Sequence, residues 1–348
     1  MKLRKVASIA LLMLSFAFAK NSAAQGECTI NLNEAQKFYE NGQIEKIPEL
    51  LNGCLSSGFN RENKVTALRL LTLVYLFEDE NAKAEESFVQ MLKKNPEYKV
   101  NPNLDPIEFV RLYESYQTRP IFSVGLRGAF TFDFARRLQT YTYGNYADAE
   151  AEYTSGNGFS VGVPVTYNIN NLWHATIEPS FSKYSFGFSE KLNGYNTIEG
   201  TTNLSYIDIP VLASYDFYTH GNTTFYAELG ISAGIFLSGD MELSRKYGNR
   251  ENADVTGAAI DVADIMKPLN LSCLAGVGAK LHVSHGFVTV GVRYDMGLMN
   301  VTNPDSRELN ANPELAYKYR YVNNDIALSA LSVNLGYSYE IYIHKKKK

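Results

Sequence analysis

The sequence predicts a small α-helical domain followed by an eight-stranded antiparallel transmembrane β-barrel. Three features carry the prediction: a basic and then apolar N-terminus, a helical period of apolar residues over residues 26–119, and an alternating period of two over residues 121–343. Alternation puts apolar and polar side chains on opposite faces of a strand. In a membrane barrel, one face meets lipid and the other lines the interior.

The N-terminus has the features of a secretory signal peptide, which we assign to residues 1–24. Three basic residues among the first five precede the apolar run 6–19, and small residues at 22–24 offer a cleavage site. The run is too short for a membrane-spanning helix, which needs about 20 apolar residues. The remainder of the chain is therefore expected outside the cytoplasm.

Residues 25–119 are predicted to form a helical domain like a tetratricopeptide repeat (TPR). Over residues 60–96, the positions where such a repeat places its inner-face, close-packing and terminating residues hold Leu71, Tyr75, Ala84, Phe88 and Pro96. A degenerate earlier unit has, in the corresponding places, Phe38, Gly42, Ile44, Ile47, Leu51 and Cys54. Pro48 fits that unit poorly because proline disrupts a helix interior.

A last helix is predicted to begin at Asp105, whose side chain can cap it, with Pro106 in the first turn. Two helix pairs are fewer than the three that a free-standing array needs, so the domain requires further support. A disulfide between Cys28 and Cys54 is allowed in an oxidising compartment and would supply part of it. The domain is either a docking surface for another protein or a spacer at the rim of the barrel; helical repeats favour docking.

The barrel prediction covers residues 120–344. Its seventh strand shows the pattern clearly, with valines at 288, 290 and 292 and polar or small residues between them. A soluble sandwich or lipocalin-like barrel would need an apolar interior, whereas here the second face is rich in glycine and charge. An even number of strands is what closure of an antiparallel barrel requires.

The connections predict an orientation. Short ones at 168–171, 218–223 and 284–286 alternate with long ones at 133–157, 187–203, 239–267 and 300–324. Bacterial barrels place short turns in the periplasm and long loops outside the cell. The helical domain and the C-terminus are therefore expected in the periplasm, with the long loops extracellular.

Charged residues on the inner face are predicted to form a network inside the barrel. They are Arg127, Glu178, Asp208, Glu228, Lys280, Arg293, Asp295 and Glu340. An eight-stranded barrel is just wide enough for side chains to fill it. Buried charges must be paired, so internal salt bridges are expected and a conducting pore is not.

No catalytic, cofactor-binding or metal-binding residues are predicted. His174, Glu178 and Ser180 share one strand face, but four residues of strand separate His174 from Glu178 by ~13 Å. Cys273 stands alone on a lipid-facing side, where a cysteine behaves as a small hydrophobe. The net charge of −4, without a basic stripe, argues against a nucleic-acid partner. No small-molecule substrate is expected.

The chain ends in a basic tail, residues 345–348. On the periplasmic side this tail could contact anionic lipid headgroups or a partner, or remain solvated.

Three segments of the barrel region carry a family resemblance: YIDIPVLASYDF at 206–217, AELGISAGIF at 227–236 and GVRYDMGL at 291–298. They resemble the PorT-like outer-membrane β-barrel family of Bacteroidota. The resemblance implies the barrel fold. Members of this family range from surface proteins to accessory subunits of type IX secretion and related outer-membrane machines, so the resemblance implies a function within that range. The helical domain departs from the plain family pattern, which favours a multi-protein assembly.

The function expected from these features is a non-enzymatic outer-membrane anchor. It contacts outer-membrane lipid and presents the helical domain to a protein partner, as an accessory subunit of a machine for type IX secretion or outer-membrane protein assembly. The alternative is a stand-alone porin-like or surface adhesion barrel. An outer-membrane lipid hydrolase is a more distant alternative.

Overall fold

The structure is a computed structural model that describes residues 26–142, 150–192, 196–248, 253–307 and 313–347. The predicted signal peptide lies outside these residues. Contacts divide the chain into unit 1, which is Met1–Arg119 with Tyr342–Lys348, and unit 2, which is Pro120–Ile341. The expected barrel extended to residue 344, whereas the division by contacts groups the chain from Tyr342 onward with unit 1.

Unit 1 contains five helices and one short 3-10 turn among its described residues. They are α1 (26–40), the turn Ile44–Lys46, α2 (Ile47–Leu55), α3 (Arg61–Phe77), α4 (Asn81–Lys94) and α5 (Ile107–Ser115). No helix of the described residues is both long and apolar enough to cross a membrane.

Local signals set the ends of α3. The Asn60 side chain accepts a hydrogen bond from the Asn63 N–H at 2.8 Å and caps the first turn. At the other end, Asp79 adopts a left-handed conformation with φ 58°. This turn lets the Glu80 N–H donate to the Tyr75 carbonyl at 2.8 Å, which is the bonding pattern of a Schellman C-cap.

Two prolines differ from their predicted roles. Pro48 lies in the first turn of α2, where no helical hydrogen bond is lost, so it fits the helix after all. The prediction that Asp105 caps the last helix was wrong: Pro106 is the N-cap of α5 and no side chain caps it. Asp105 instead accepts from the Asn101 N–H at 2.7 Å and pairs with Arg69 on α3.

The helices of unit 1 share two apolar clusters that meet at α3. One joins α3 to α1, α2 and the first turn of α4, and it includes Leu32, Ile47, Leu51, Leu71 and Ala84. The other joins α3 to α4 and α5 and includes Leu68, Phe88, Met91, Phe109 and Tyr116. A disulfide links Cys28 to Cys54 with the Cα atoms 5.6 Å apart, which ties α1 to α2.

Unit 2 is one antiparallel sheet with twelve strand segments among its described residues. They are β1 (Pro120–Gln139), β2 (Glu150–Gly162), β3 (Val165–Asn168), β4 (Trp173–Ile177), β5 (Ser180–Leu192), β6 (Asn196–His220), β7 (Thr223–Tyr247), β8 (Val255–Thr256), β9 (Ile260–Asp261), β10 (Leu269–Val283), β11 (Gly286–Gly297) and β12 (Asp325–Tyr342).

The twelve segments exceed the eight predicted strands by four; two of the extra segments are the short β8 and β9, and the other two come from breaks at prolines. Pro164 separates β2 from β3, and Pro179 separates β4 from β5, because proline cannot donate to a strand ladder. The carbonyls at both breaks are still used: Gly125 donates to Pro164 at 3.0 Å and Val163 donates to Pro179 at 3.0 Å. The hydrogen bonding between neighbouring strands therefore continues past both breaks.

The pairing follows the chain around the sheet. β1 pairs with β2 and β3, these pair with β5 and β4, and both of those pair with β6. From β6 the order runs through β7, β10 and β11 to β12. β12 is in turn a hydrogen-bonded neighbour of β1. The short β8 and β9 pair with the far end of β7.

Several strands are longer than predicted. The expected long connection at 187–203 is mostly strand, because β5 runs to Leu192 and β6 begins at Asn196. β6 and β7 have 25 residues each, against about 9–11 that a tilted strand needs to cross a bilayer. Polar residues such as Thr201 and Asn203 obscured the alternating strand period over residues 187–203.

We call the end of the sheet that carries the long connections the loop end, and the end that carries the short connections the turn end.

The predicted faces are found in the structure. Leu126, Leu229 and Leu335 on the outer face are 60, 65 and 61% exposed, whereas the inward-facing neighbours Arg127 and Glu228 are 9 and 4% exposed. Such a continuous exposed apolar face is unlike the surface of a soluble monomer.

Candidate functional site

The inner face of the sheet carries a square of two arginines and two glutamates. Arg293 Nε donates to Glu228 Oε1 at 2.8 Å, and Arg293 Nη2 lies 3.3 Å from Glu178 Oε2. Arg127 Nη1 lies 3.0 Å from Glu178 Oε2 and 3.9 Å from Glu228 Oε1. All four side chains are buried. Each charge thus has two opposite neighbours, so the group is neutral as a whole.

A second cluster lies nearer the turn end, around Asp216. Lys280 Nζ donates to Asp216 Oδ1 at 2.6 Å, and His174 Nε2 lies 3.0 Å from Asp216 Oδ2. The other ring nitrogen of His174 lies 2.7 Å from Asn168 Oδ1. The structure therefore places Lys280 beside Asp216 rather than in the arginine and glutamate square.

Sequence reasoning missed Asp216. A usable signal was present, because Asp216 continues the inward positions 208, 210 and 214 of β6. A bulge at Phe217 then shifts the register, so Asp216 pairs with Tyr226 and Tyr218 pairs with Phe225. Asp216 is therefore the last inward-facing residue of β6 before the bulge shifts the alternation of its two faces.

The remaining predicted charges have other surroundings. Asp208 accepts a hydrogen bond from the Tyr184 hydroxyl at 3.0 Å, and Asp295 lies with it along the same small cavity. Glu340 lies near the turn end, where its N–H donates to the His285 carbonyl at 3.0 Å. The eight predicted residues thus fall into one compact square and several separate positions.

The cavity beside Asp208 is small. Its volume is about 50 Å³, and its walls include Thr131, Glu178, Arg293 and Asp295. A water molecule needs roughly 10–15 Å³ of such space, so the cavity can hold only a few waters. It is not a passage for solutes.

The loop end has an apolar interior, which corrects the expectation of a polar interior throughout. The buried cluster there includes Tyr184, Phe186, Phe188, Ile198, Leu204, Tyr206, Met241, Leu243, Val262, Ile265, Met266, Val301, Leu315, Tyr319, Tyr321 and Ile326. We call this cluster the apolar plug. Part of it comes from the strands and part from the connections after β7 and before β12.

A bulge brings β7 into the plug. Ser238 pairs with Ser205 and Phe236 pairs with Tyr206, so Leu237 is an extra residue in β7. An extra residue exchanges the two faces of the strand beyond it. Met241 and Leu243 therefore point inward, whereas extrapolating the even-numbered period from Glu228 would put them outside.

The connections that contribute to the plug are bonded to each other. The Lys267 N–H donates to the Val301 carbonyl at 2.7 Å, and the Asn303 N–H donates to the Ile265 carbonyl at 2.8 Å. The Asn300 side chain donates to Asp325 at 2.6 Å, and Asp325 also pairs with Arg307. These bonds tie the two connections to each other and to the start of β12 at the loop end.

The residues weighed for catalysis are not assembled into a relay. His174 is held by Asp216 and Asn168, whereas the Ser180 hydroxyl donates to the Asp208 carbonyl at 3.4 Å. Cys273 is a partly exposed free thiol. Within the described ranges, no group of three His, Cys, Asp or Glu residues is arranged to hold a metal ion.

Comparisons with known proteins found a family match and several similar solved structures. The chain resembles the structure of Neisserial surface protein A with 11% sequence identity and a TM-score of 0.29, over 63% of this chain and 97% of that chain. It resembles the outer membrane protein OprG from Pseudomonas aeruginosa with 11% identity and a TM-score of 0.34, over 64% of this chain and 98% of that chain. It resembles the outer membrane protein AlkL with 10% identity and a TM-score of 0.36, over 66% of this chain and 94% of that chain. No curated protein matches the sequence. The family model described as the outer membrane protein beta-barrel domain matches residues 113–303, more than half of the chain. The chain therefore belongs to the outer membrane protein beta-barrel domain family, and unit 2 is its outer-membrane, barrel-like sheet.

Proposed function

We propose that this protein is a sealed, non-enzymatic outer-membrane anchor that presents unit 1 to a protein partner in the periplasm. In this role it is an accessory subunit of an envelope machine for type IX secretion or outer-membrane protein assembly. The observation that carries the proposal is the filled interior. The apolar plug occupies the loop end, and the charges below it include the neutral arginine and glutamate square.

The proposal includes a closed eight-stranded barrel. Joining β2 to β3 and β4 to β5 across their prolines, and leaving out the short β8 and β9, gives eight strands. The neighbour relations then run through all eight and return from β12 to β1. Closure fits the membrane, because an open edge would leave backbone groups unpaired in lipid.

The orientation follows from the connections. β6 to β7 and β10 to β11 are joined by two-residue turns at 221–222 and 284–285. Gly221 has φ +56° with open space around it, and His285 has φ 65°, as tight turns require. Short turns face the periplasm in bacterial barrels, so both ends of the barrel chain and unit 1 are periplasmic in this proposal.

Unit 1 supports docking through its TPR-like pair α3 and α4. Leu71, Ala84 and Phe88 are fully buried between the helices of the unit, as the repeat spacing requires. By contrast Phe77 and Leu104 are each 81% exposed, and Ile107 is 55% exposed. In this proposal these exposed apolar side chains are the contacts with the protein partner. The PorT-like resemblance of unit 2 supports the choice of a secretion or assembly machine.

Copurification tests this function. The full-length protein is captured from envelopes that have been solubilised in mild detergent, and the retained proteins are quantified. We expect a stoichiometric partner with the wild type and its loss with the double variant Phe77→Glu/Leu104→Glu. The matched control Asn52→Glu/Ser57→Glu adds the same charge at two exposed polar positions of unit 1 and should retain the partner.

The stand-alone porin-like or adhesion barrel is the competing function. It predicts that the wild-type protein purifies alone and that the two double variants behave identically. Either result would overturn the accessory role.

A further inference from the structure

The C-terminal residues 342–347 pack against the helices of unit 1, although 222 residues of unit 2 separate them from those helices in the chain. We call these residues the C-terminal clasp. We propose that the clasp is the last structural part of unit 1, so that the helical unit is completed only in a chain that already has its final barrel strand. This inference does not depend on the identity of any partner.

The first contact is a short backbone ladder. The Gln117 N–H donates to the Lys345 carbonyl at 2.8 Å, and the Lys347 N–H donates to the Ser115 carbonyl at 2.7 Å. Tyr116 and Lys346 are the antiparallel pair between these two bonds. The chain just after α5 therefore has a strand-like partner, and that partner is the clasp.

The second contact joins the clasp to α4. Lys346 forms an ion pair with Glu85, and the Tyr116 hydroxyl donates to the other Glu85 oxygen at 3.1 Å. Lys347 Nζ donates to the Glu114 carbonyl at 2.8 Å. One glutamate of α4 thus connects the end of α5 and the clasp.

The third point is what lies beneath the clasp. Tyr116 is 6% exposed and its ring lies 5.4 Å from that of Phe88, which is fully buried in the cluster of α3, α4 and α5. The clasp therefore pairs with a residue that belongs to the core of unit 1. This distinguishes it from a solvated basic tail and from a tail that contacts lipid headgroups.

The order of assembly follows from the chain. Glu85 and Lys346 are 261 residues apart in the sequence, and unit 2 lies between them. Helices α1 to α5 are synthesised first and have their apolar clusters and disulfide without the clasp. The clasp can dock only after the residues of β12 have left the ribosome and entered the envelope.

Hydrogen exchange in the full-length, detergent-folded protein tests this inference. Deletion of residues 343–348 should speed exchange in a peptide that spans residues 112–117 by about tenfold, the factor for roughly 1.4 kcal/mol of lost backbone and ion-pair interactions. Peptides from β10 and β11 should keep their protection. Equal exchange at 112–117 in the truncated and intact proteins would overturn the clasp.

Charge exchange covers the case in which the truncated chain fails to fold. Lys346→Glu and Glu85→Lys should each speed exchange at 112–117, and the double variant should restore protection. Lys345→Glu is the matched control, because it makes the same charge change at the neighbouring exposed residue and should leave the exchange rate unchanged. Equal effects of Lys345→Glu and Lys346→Glu, with loss of binding to anionic vesicles in both, would instead assign the tail to lipid.

Discussion

Arg293 on β11 donates through Nε to Glu228 on β7 at 2.8 Å, across the inner face of the sheet. The strand β10 pairs with both β7 and β11 and so separates them. This bond therefore bridges strands that share no backbone hydrogen bond. Together with Arg127 and Glu178, it converts four costly buried charges into a neutral group.

Single substitutions in the square should be more damaging than paired ones. Arg293→Met or Glu228→Gln leaves the square with one uncompensated buried charge and should lower the free energy of unfolding by about 3–5 kcal/mol. The double substitution Glu228→Gln/Arg293→Met should cost less than the sum of the two single substitutions, because it removes both charges of one pair.

Urea unfolding monitored by fluorescence measures these effects. Trp173 is the single tryptophan, and it lies on the outer face against Tyr215 with the rings 4.8 Å apart. The control is Glu199→Gln, which breaks the exposed pair with Lys246 and should leave unfolding unchanged. If all three single substitutions prove equivalent, the square has no special role.

Acid should weaken the C-terminal clasp in two steps. Burial lowers the pKa of His344 from its ordinary 6.5. The undocked imidazole therefore binds a proton at a pH where the docked one does not, so docking weakens as the pH falls below 6.5. The Lys346 ammonium lowers the pKa of Glu85 from 4.5, and its contribution is present above 4.5 and lost as the pH falls further.

An NMR titration of the His344 ring in the full-length protein checks the first step. The midpoint should lie below 6.5 in the wild type and return toward 6.5 in Glu85→Lys, where the clasp is released. A wild-type midpoint at or above 6.5 would contradict the buried position of the ring.

The disulfide should stabilise unit 1 and leave unit 2 unaffected. Cys28 and Cys54 close a loop with a sequence separation of 26 residues. Cross-linking a loop of this size lowers the entropy of the unfolded chain by an amount worth about 3.5 kcal/mol. The variant Cys28→Ser/Cys54→Ser should therefore unfold its helices at lower denaturant concentration, as followed by circular dichroism near 222 nm.

The fluorescence transition of Trp173 serves as the internal control for that variant, because Trp173 belongs to unit 2. The prediction fails if both transitions move together, or if the helical transition stays where it is in the wild type.

The faces of the strands could be predicted from sequence because alternation is a local signal. Leu229 beside Glu228 and Val292 beside Arg293 lie on opposite faces, as their spacing predicts. The inward half of the pattern also predicted a charge network, and four of its residues do form one.

Other features had no local signal. The bulge at Leu237 exchanges the faces of β7, and nothing in the residues around it indicates that change. The polar sequence around Thr201 and Asn203 concealed strand extensions that are fixed by pairing with distant residues. The clasp depends on contacts such as that of Lys346 with Glu85, between segments with no sequence pattern in common.

The electrical conductance of the protein in planar lipid bilayers tests the central claim most directly. The full-length protein is incorporated at a known copy number, verified by heat-modifiable migration of the folded barrel. Because the apolar plug and the arginine and glutamate square fill the interior, we predict no step conductance above that of the bare bilayer. Reproducible channels whose number follows the number of incorporated copies would contradict the proposed sealed barrel and favour a pore.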